Sequence, residues 1–211
     1  MTTANKERIL AFFDEHYPDV KGELEYKKDY ELLIAVVLSA QSTDVAVNAV
    51  TRKLFKKHPT FASLLTVKEA QFAAYFKTLG LYRNKAKHIY NLLHLLNEQH
   101  DGKVPESKEK LLKLPGVGVK TANVVRAELF KIPEIAVDTH VARIAKRLGF
   151  AKFSDDVATI EKKLRKLLPR ERYIKTHHQM IHFGRYFCKA QNPQCKKCPL
   201  ADICVEPNKK L

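Results

Sequence analysis

The chain has 211 residues, 45% of them hydrophobic, and its 38 Lys and Arg outnumber 23 Asp and Glu to give a formal charge of +15. That apolar fraction excludes a disordered chain, and the longest apolar run, "LLIAVVL" (32–38), is far too short to cross a membrane. No secretory signal opens the sequence, so a soluble, cytoplasmic protein is expected, and its positive field suits a polyanion such as nucleic acid.

Helical periodicity starts at once. "NKERILAFFDEHY" places Ile9, Phe12 and Phe13 on one face. "YELLIAVVLSAQS" is apolar throughout, so periodicity does not separate a buried strand from a buried helix. The absence of Gly and Pro between Glu23 and His58 favours helix. "TDVAVNAVTRKLFKKH" pairs Val47, Val50 and Leu54 with a basic opposite face. "TVKEAQFAAYFKTLG" predicts a helix capped at Gly80. "NKAKHIYNLLHLLNEQHDG" is amphipathic through Ile89, Leu92, Leu93 and Leu96 and stops near Gly102. Pro105 is expected to open a short helix over 106–114. Another is expected over 119–130.

"DTHVARIAKRLGF" and "DDVATIEKKLRKLLP" predict two further helices ending near Gly149 and Pro169, and "YIKTHHQMIHFGRYFC" a last long one. No alternating pattern with hairpin turn signals occurs, so the fold class is all-α. His178 and His182 lie four apart on the last helix, and with no third ligand in view they are read as packing residues.

Between residues 114 and 119 the sequence "PGVG" interrupts two helices. Pro115 stops the first. Gly116 and Gly118 can take positive φ and keep the turn bare. The second helix then presents free amides, a natural cradle for phosphate. The pattern reads as a helix–hairpin–helix element, which grips DNA backbone without reading sequence. Lys120 falls in the first turn of the second helix. It can bind phosphate, or it can act as an amine nucleophile, since a partly positive helix end, burial and nearby cations all disfavour the charged ammonium. Asp138, in "VDTH", precedes a helix and suits an N-cap. A carboxylate there can also stabilise the positive charge that develops on a sugar as an N-glycosidic bond breaks.

All four cysteines, Cys188, Cys195, Cys198 and Cys204, fall within one short segment in the pattern C-x6-C-x2-C-x5-C. In an intracellular chain such clustering points to metal. Thiolates serve zinc and iron–sulfur centres alike, so the spacing leaves both open. Lys189, Lys196 and Lys197 share the loop.

Taken together, "LPGVGVKTA", "VDTH" and the cysteine pattern, with "LLIAVVLSAQSTD" and "LGLYRNKAKHI", resemble endonuclease III, the helix–hairpin–helix DNA glycosylase family. The likeness runs in the family's order over nearly the whole chain. It implies two helical domains with a DNA-binding cleft between them: a helical barrel over 22–132, and an iron–sulfur domain joining 1–21 to 133–211. It further implies a monomer carrying a [4Fe–4S] cluster on the four cysteines. The implied activity is removal of oxidised or ring-saturated pyrimidines from duplex DNA and cleavage at the abasic site; some relatives prefer pyrimidine dimers.

By resemblance Lys120 is the catalytic lysine and Asp138 the catalytic aspartate. Gln41 fills the gap left by the extruded base, and Leu81 is a wedge against the opposite strand. Gly116 and Gly118 hold phosphate, and His140 stands near the pocket. Val119 departs from the pattern, since relatives often have Arg there. A base-removing adenine glycosylase would lack Lys120 and carry a glutamate in the early buried helix, whereas Leu32 to Ala40 holds no acid. A purely DNA-binding or zinc-stabilised protein would not need Lys120 and Asp138 together.

Overall fold

Where apolar residues recur every three or four positions, the chain coils into helices, and their lengths follow the caps. The structure, a computed structural model, describes residues 1–210. Among these, eleven α-helices and no strand occur: α1 Thr3–His16, α2 Asp29–Leu38, α3 Asp44–Lys57, α4 Phe61–Leu65, α5 Glu69–Tyr75, α6 Tyr82–His100, α7 Lys108–Leu112, α8 Val119–Phe130, α9 Thr139–Arg147, α10 Val157–Leu167 and α11 Tyr173–His182. The chain divides into two compact units. An inner unit spans Glu23–Ile132, and a split unit joins Met1–Gly22 to the residues from Pro133 onward.

In the inner unit every residue from Glu31 to Leu38 is buried. A helix without a polar face has to be enclosed on all sides, and α2 is enclosed by α3, α6 and α8. This settles the ambiguous apolar run as helix. This early buried helix does carry one buried acid, Glu31, just outside the acid-free span 32–40; its carboxylate accepts the Lys27 amide at 2.7 Å and so caps the turn leading into the helix. The amphipathic α6 lays Ile89, Leu92, Leu93 and Leu96 into the same core and packs on α4 and α5.

Several boundaries differ from the sequence expectation. Helix α5 ends at Tyr75, so Gly80 caps nothing, and the left-handed residue is the neighbouring Leu81 at φ 56°. Helix α7 begins at Lys108, because Ser107 accepts the Lys110 amide as N-cap, which leaves Pro105 outside the helix. The last helix gives way at Phe183 to a π-helical turn, Phe183–Phe187, where the hydrogen-bond spacing widens. The short α4 was not anticipated; it is held by a reciprocal Thr60–Ser63 capping box.

The split unit depends on a contact across nearly the whole sequence. Helix α1 buries Ile9, Leu10, Phe12 and Phe13, and the rings of Phe12 and Phe13 stand 5.6 and 5.7 Å from Phe183. At its edge Asp14 accepts two bonds from Arg172, at 2.8 and 2.9 Å, and further bonds from Lys175 and Gln179. The Arg172 guanidinium, with smaller help from Lys175 and Gln179, holds the Asp14 carboxyl well below the usual carboxylate range. His182 Nε2 donates to the Lys21 carbonyl oxygen at 3.0 Å, so this histidine is a polar packing residue of the unit.

Because folding lowers its pKa, Asp14 contributes fully above the ordinary carboxylate pKa of about 4 and progressively less as the pH falls below it. Asp14→Asn is expected to cost about 1–2 kcal/mol at pH 7, discounted for partial exposure. The gap to wild type should shrink as the pH is lowered from 4 toward 2. Denaturant unfolding across that range checks this, and a gap that stays constant would remove the charge from the account.

Candidate active-site residues and cysteine loop

The hairpin lies wholly in the inner unit. Helix α7 ends at Leu112, and the turn closes through the Leu114 amide on Leu111 and the Val117 amide on Leu114. Gly116 has φ +79°, and a Cβ built there would lie 2.9 Å from Val37 Cγ1 and 3.2 Å from His88 Cβ. It is therefore required twice, for its backbone angle and for its closeness to α2 and α6. Gly118 does not use the freedom to take a positive φ. It is the N-cap of α8 with φ −94° and ψ 179°, ordinary extended backbone, and nothing lies within 4 Å of its added Cβ. No protein atom demands glycine at this position. A bare Cα facing open space suits the approach of another backbone.

Lys120 occupies the first turn of α8 and is exposed; the burial expected of it is absent. Val119 beside it is 51% exposed and leaves the tip without a second cation. Because the N-cap is glycine, no side chain covers the first amides of α8. An amine next to helix-start amides that no side chain caps can meet both a phosphate and the sugar attached to it.

Two exposed turns of the same unit carry Gln41 and Leu81. Both are left-handed, at φ 53° and 56°. Such angles in residues with side chains cost on the order of 1–3 kcal/mol each and collect at functional sites. The Ser42 amide bonds to the Ser39 carbonyl and closes the first turn. Leu81 is the N-cap of α6, makes no side-chain cap bond and is 57% exposed.

In the split unit Asp138 caps α9. Its Oδ1 accepts the Val141 amide at 2.8 Å, and the side chain is half-buried. Two residues on, His140 Nδ1 lies 3.3 Å from Arg143 Nη2. Arginine only donates, so Nδ1 accepts and the ring is neutral. Burial lowers its pKa, and Asp138 opposes that in part.

Arg143 also donates to the Gly184 carbonyl at 2.7 Å and to the Cys188 carbonyl at 3.3 Å. Gly184 permits this packing, since an added Cβ would stand 3.1 Å from Ile144 and 3.2 Å from Arg143. Arg147, one turn further, reaches Cys188 Sγ at 3.3 Å and the Lys189 carbonyl at 2.8 Å, and pairs with Glu206 at 2.9 Å. Neither arginine was singled out in the sequence. Their i, i+4 spacing in "VARIAKR" marks one helix face, but nothing local says which loop that face meets.

All four cysteines line one pocket, together with Leu148, Phe183 and Phe187. Burial raises the thiol pKa values of Cys188 and Cys198. Among the described residues no three His, Cys, Asp or Glu side chains are grouped to hold a single metal ion. Among the described residues no helix is long and apolar enough to cross a membrane.

Residues 34–170 match the HhH-GPD superfamily of base excision DNA repair proteins. Endonuclease III of Bacillus subtilis (strain 168) is 47% identical over 97% of this chain and 93% of its own length. That of Escherichia coli (strain K12) is 44% identical over 97% and 96%. The chain belongs to the endonuclease III family. Its backbone is similar to that of a non-covalent endonuclease III–DNA complex, with a TM-score of 0.93 and 48% identity over 98% of this chain and 96% of the other. It is similar also to a trapped endonuclease III–DNA covalent intermediate, with a TM-score of 0.91 and 48% identity over 98% and 97%. A thermostable thymine-DNA glycosylase, 20% identical over 96% of both chains, shares the fold with a TM-score of 0.82.

The two hairpin glycines are expected to separate on substitution. Gly116→Ala should lose about 2–3 kcal/mol, because it combines a positive φ with a clash against α2. Gly118→Ala should lose less than about 1 kcal/mol, the scale of an N-cap change, yet weaken binding to undamaged duplex. Thermal melts read beside fluorescence-anisotropy titrations check the pair; equal losses of stability would contradict it.

Proposed function

We propose that this family member acts as a bifunctional DNA glycosylase and AP lyase on oxidised or ring-saturated pyrimidines in duplex DNA, with Lys120 as nucleophile and Asp138 as its electrostatic partner. The observation that carries the reading is an exposed amine in the first turn of a glycine-capped hairpin helix. The likeness to a relative captured as a covalent intermediate with DNA supports it.

In this reading the hairpin amides and Gly118 grip phosphate, and the damaged nucleotide leaves the stack at a cost of a few kcal/mol, least for bases that already stack poorly. Gln41 occupies the vacated space and Leu81 presses on the opposite strand. The unprotonated Lys120 Nζ attacks the sugar C1′, and the C1′–N bond breaks with its electrons leaving on the base. The Asp138 carboxylate stabilises the oxocarbenium-like charge and relays the proton released by the amine. The new C–N bond becomes a Schiff base on loss of the ring oxygen bond. That iminium acidifies C2′, a proton is lost, and the 3′ phosphate departs by β-elimination. Water then frees Lys120. His140, neutral and anchored by Arg143, borders the Asp138 helix start and contacts DNA near the pocket.

Cys188, Cys195, Cys198 and Cys204 would hold a [4Fe–4S] cluster. Four thiols around one partly apolar pocket fit it, since each thiolate of a cube binds a different iron and the set need not converge on one point. When bound it supplies four iron–thiolate links that fix the loop carrying Lys196 and Lys197. Arg147 steadies the Cys188 end of that loop. Purified protein is expected to be brown, with about four irons and four sulfides per chain. A colourless protein with one zinc would reverse the assignment.

Borohydride trapping on abasic-site duplex tests the chemistry. Lys120→Ala should lose the adduct, and a variant that still traps at wild-type level would refute the nucleophile. Asparagine caps helices as well as aspartate, so Asp138→Asn should fold normally and slow base removal by about 10²–10⁴-fold. A panel of defined lesions tests the substrate, with faster turnover of pyrimidine dimers than of ring-saturated pyrimidines overturning that part.

A further inference from the structure

One charged side chain of the inner unit lies where folding alone would not put it. Lys85, on α6, is only 4% exposed, and its Nζ donates to Ser42 Oγ at 2.6 Å. Burial pushes its pKa down. Withdrawing an ammonium from water toward a neutral hydroxyl costs stability, and a methionine would fill much the same space without that cost.

The position of this bond explains what it does. Ser42 directly follows the left-handed Gln41, and Lys85 lies one helical turn past the left-handed Leu81. The Lys85 amide bonds to the Leu81 carbonyl, so the backbone of that turn is tied to the same residue. The two turns are neighbours: a Cβ added to Gly80 would be 3.7 Å from the Gln41 carbonyl oxygen. Each turn is strained, each is exposed, and Leu81 has no side-chain cap to hold it. The Lys85–Ser42 bond runs beneath both and links their bases.

We propose that Lys85 is a positioning residue that holds the Gln41 and Leu81 turns at a fixed spacing, so that both side chains enter the duplex as one unit. The proposal rests on the reading of Gln41 and Leu81 as inserting residues. The buried charge trades stability for the placement of two strained turns, since misplacing a working group by about 1 Å can cost as much as 10²-fold in rate.

The test compares wild type with Lys85→Met, Ser42→Ala, the double variant, Gln41→Ala and Leu81→Ala. The probe is a duplex with 2-aminopurine opposite a tetrahydrofuran abasic analogue, whose fluorescence rises when the strand is unstacked. Lys85→Met should melt at or above the wild-type temperature, lose most of the fluorescence rise, and slow single-turnover base removal about tenfold. Ser42→Ala should shift both readouts in the same direction, and the double variant should be no worse than the more affected single one, as partners in one bond require. If Leu81→Ala loses the signal while Lys85→Met keeps it, the tie is wrong and the inserting role stands. If Gln41→Ala and Leu81→Ala both keep it, the inserting role fails, and the proposal with it. A salt dependence on undamaged duplex that weakens by about one phosphate contact in Lys85→Met would place the amine on the backbone and overturn the proposal.

Discussion

Much of the inner unit depends on a single close approach, Val37 on α2 against the bare Cα of Gly116. Helix α2 is buried along nearly its whole length and has no freedom to yield. Its side therefore sets where the hairpin turn can pass, and its end sets where the Gln41 turn begins. Helix α8, with Lys120 in its first turn, packs on the same helix. An enclosed apolar rod thus serves as a common reference for elements far apart in sequence. A core packed to crystal-like density is a suitable reference, because it transmits small displacements where a loose one would absorb them.

The split unit uses a comparable arrangement with different chemistry. Gly184 lets the π-helical turn come against α9, and the space it leaves is occupied by Arg143. Arg143 and Arg147 then hold the carbonyls at the entrance of the cysteine loop, while the far end of α9 carries Asp138. One helix is thereby fixed to the loop through its arginines and offers a carboxylate at its start. The capping bond has a price in freedom: Asp138 Oδ1 is committed to the Val141 amide, which orients the other oxygen.

Much of this was legible in the residues. The ends of α6 and α9 followed from periodicity and glycine stops and the start of α8 from Gly118, and the four cysteines that line one pocket already stand together in one short segment of the sequence. Other parts could not be read locally. An apolar run such as 32–38 has no period; the absence of Gly and Pro only favoured helix, and its enclosure by three helices accounts for it. The expected cap at Gly80 failed because a leucine adopts the left-handed angle instead, against its own preference, under tertiary constraint. Gly118 looks identical to Gly116 on paper, yet only Gly116 meets a neighbouring side chain. Lys85 is one lysine among many in the sequence; its burial depends on which face of α6 meets the Ser42 turn.

The split unit has a consequence for how the molecule is made. Helix α1 is synthesised before the inner unit, but Phe183, Arg172 and Lys175, its partners, are translated only after the whole of it. At ordinary rates of synthesis that delay is on the order of ten seconds. Throughout it Phe12 and Phe13 have no native surface to cover them, while the inner unit can already fold on its own core. The newborn chain therefore carries an uncovered amphipathic helix while the inner unit is already complete, a window in which a chaperone has something to hold.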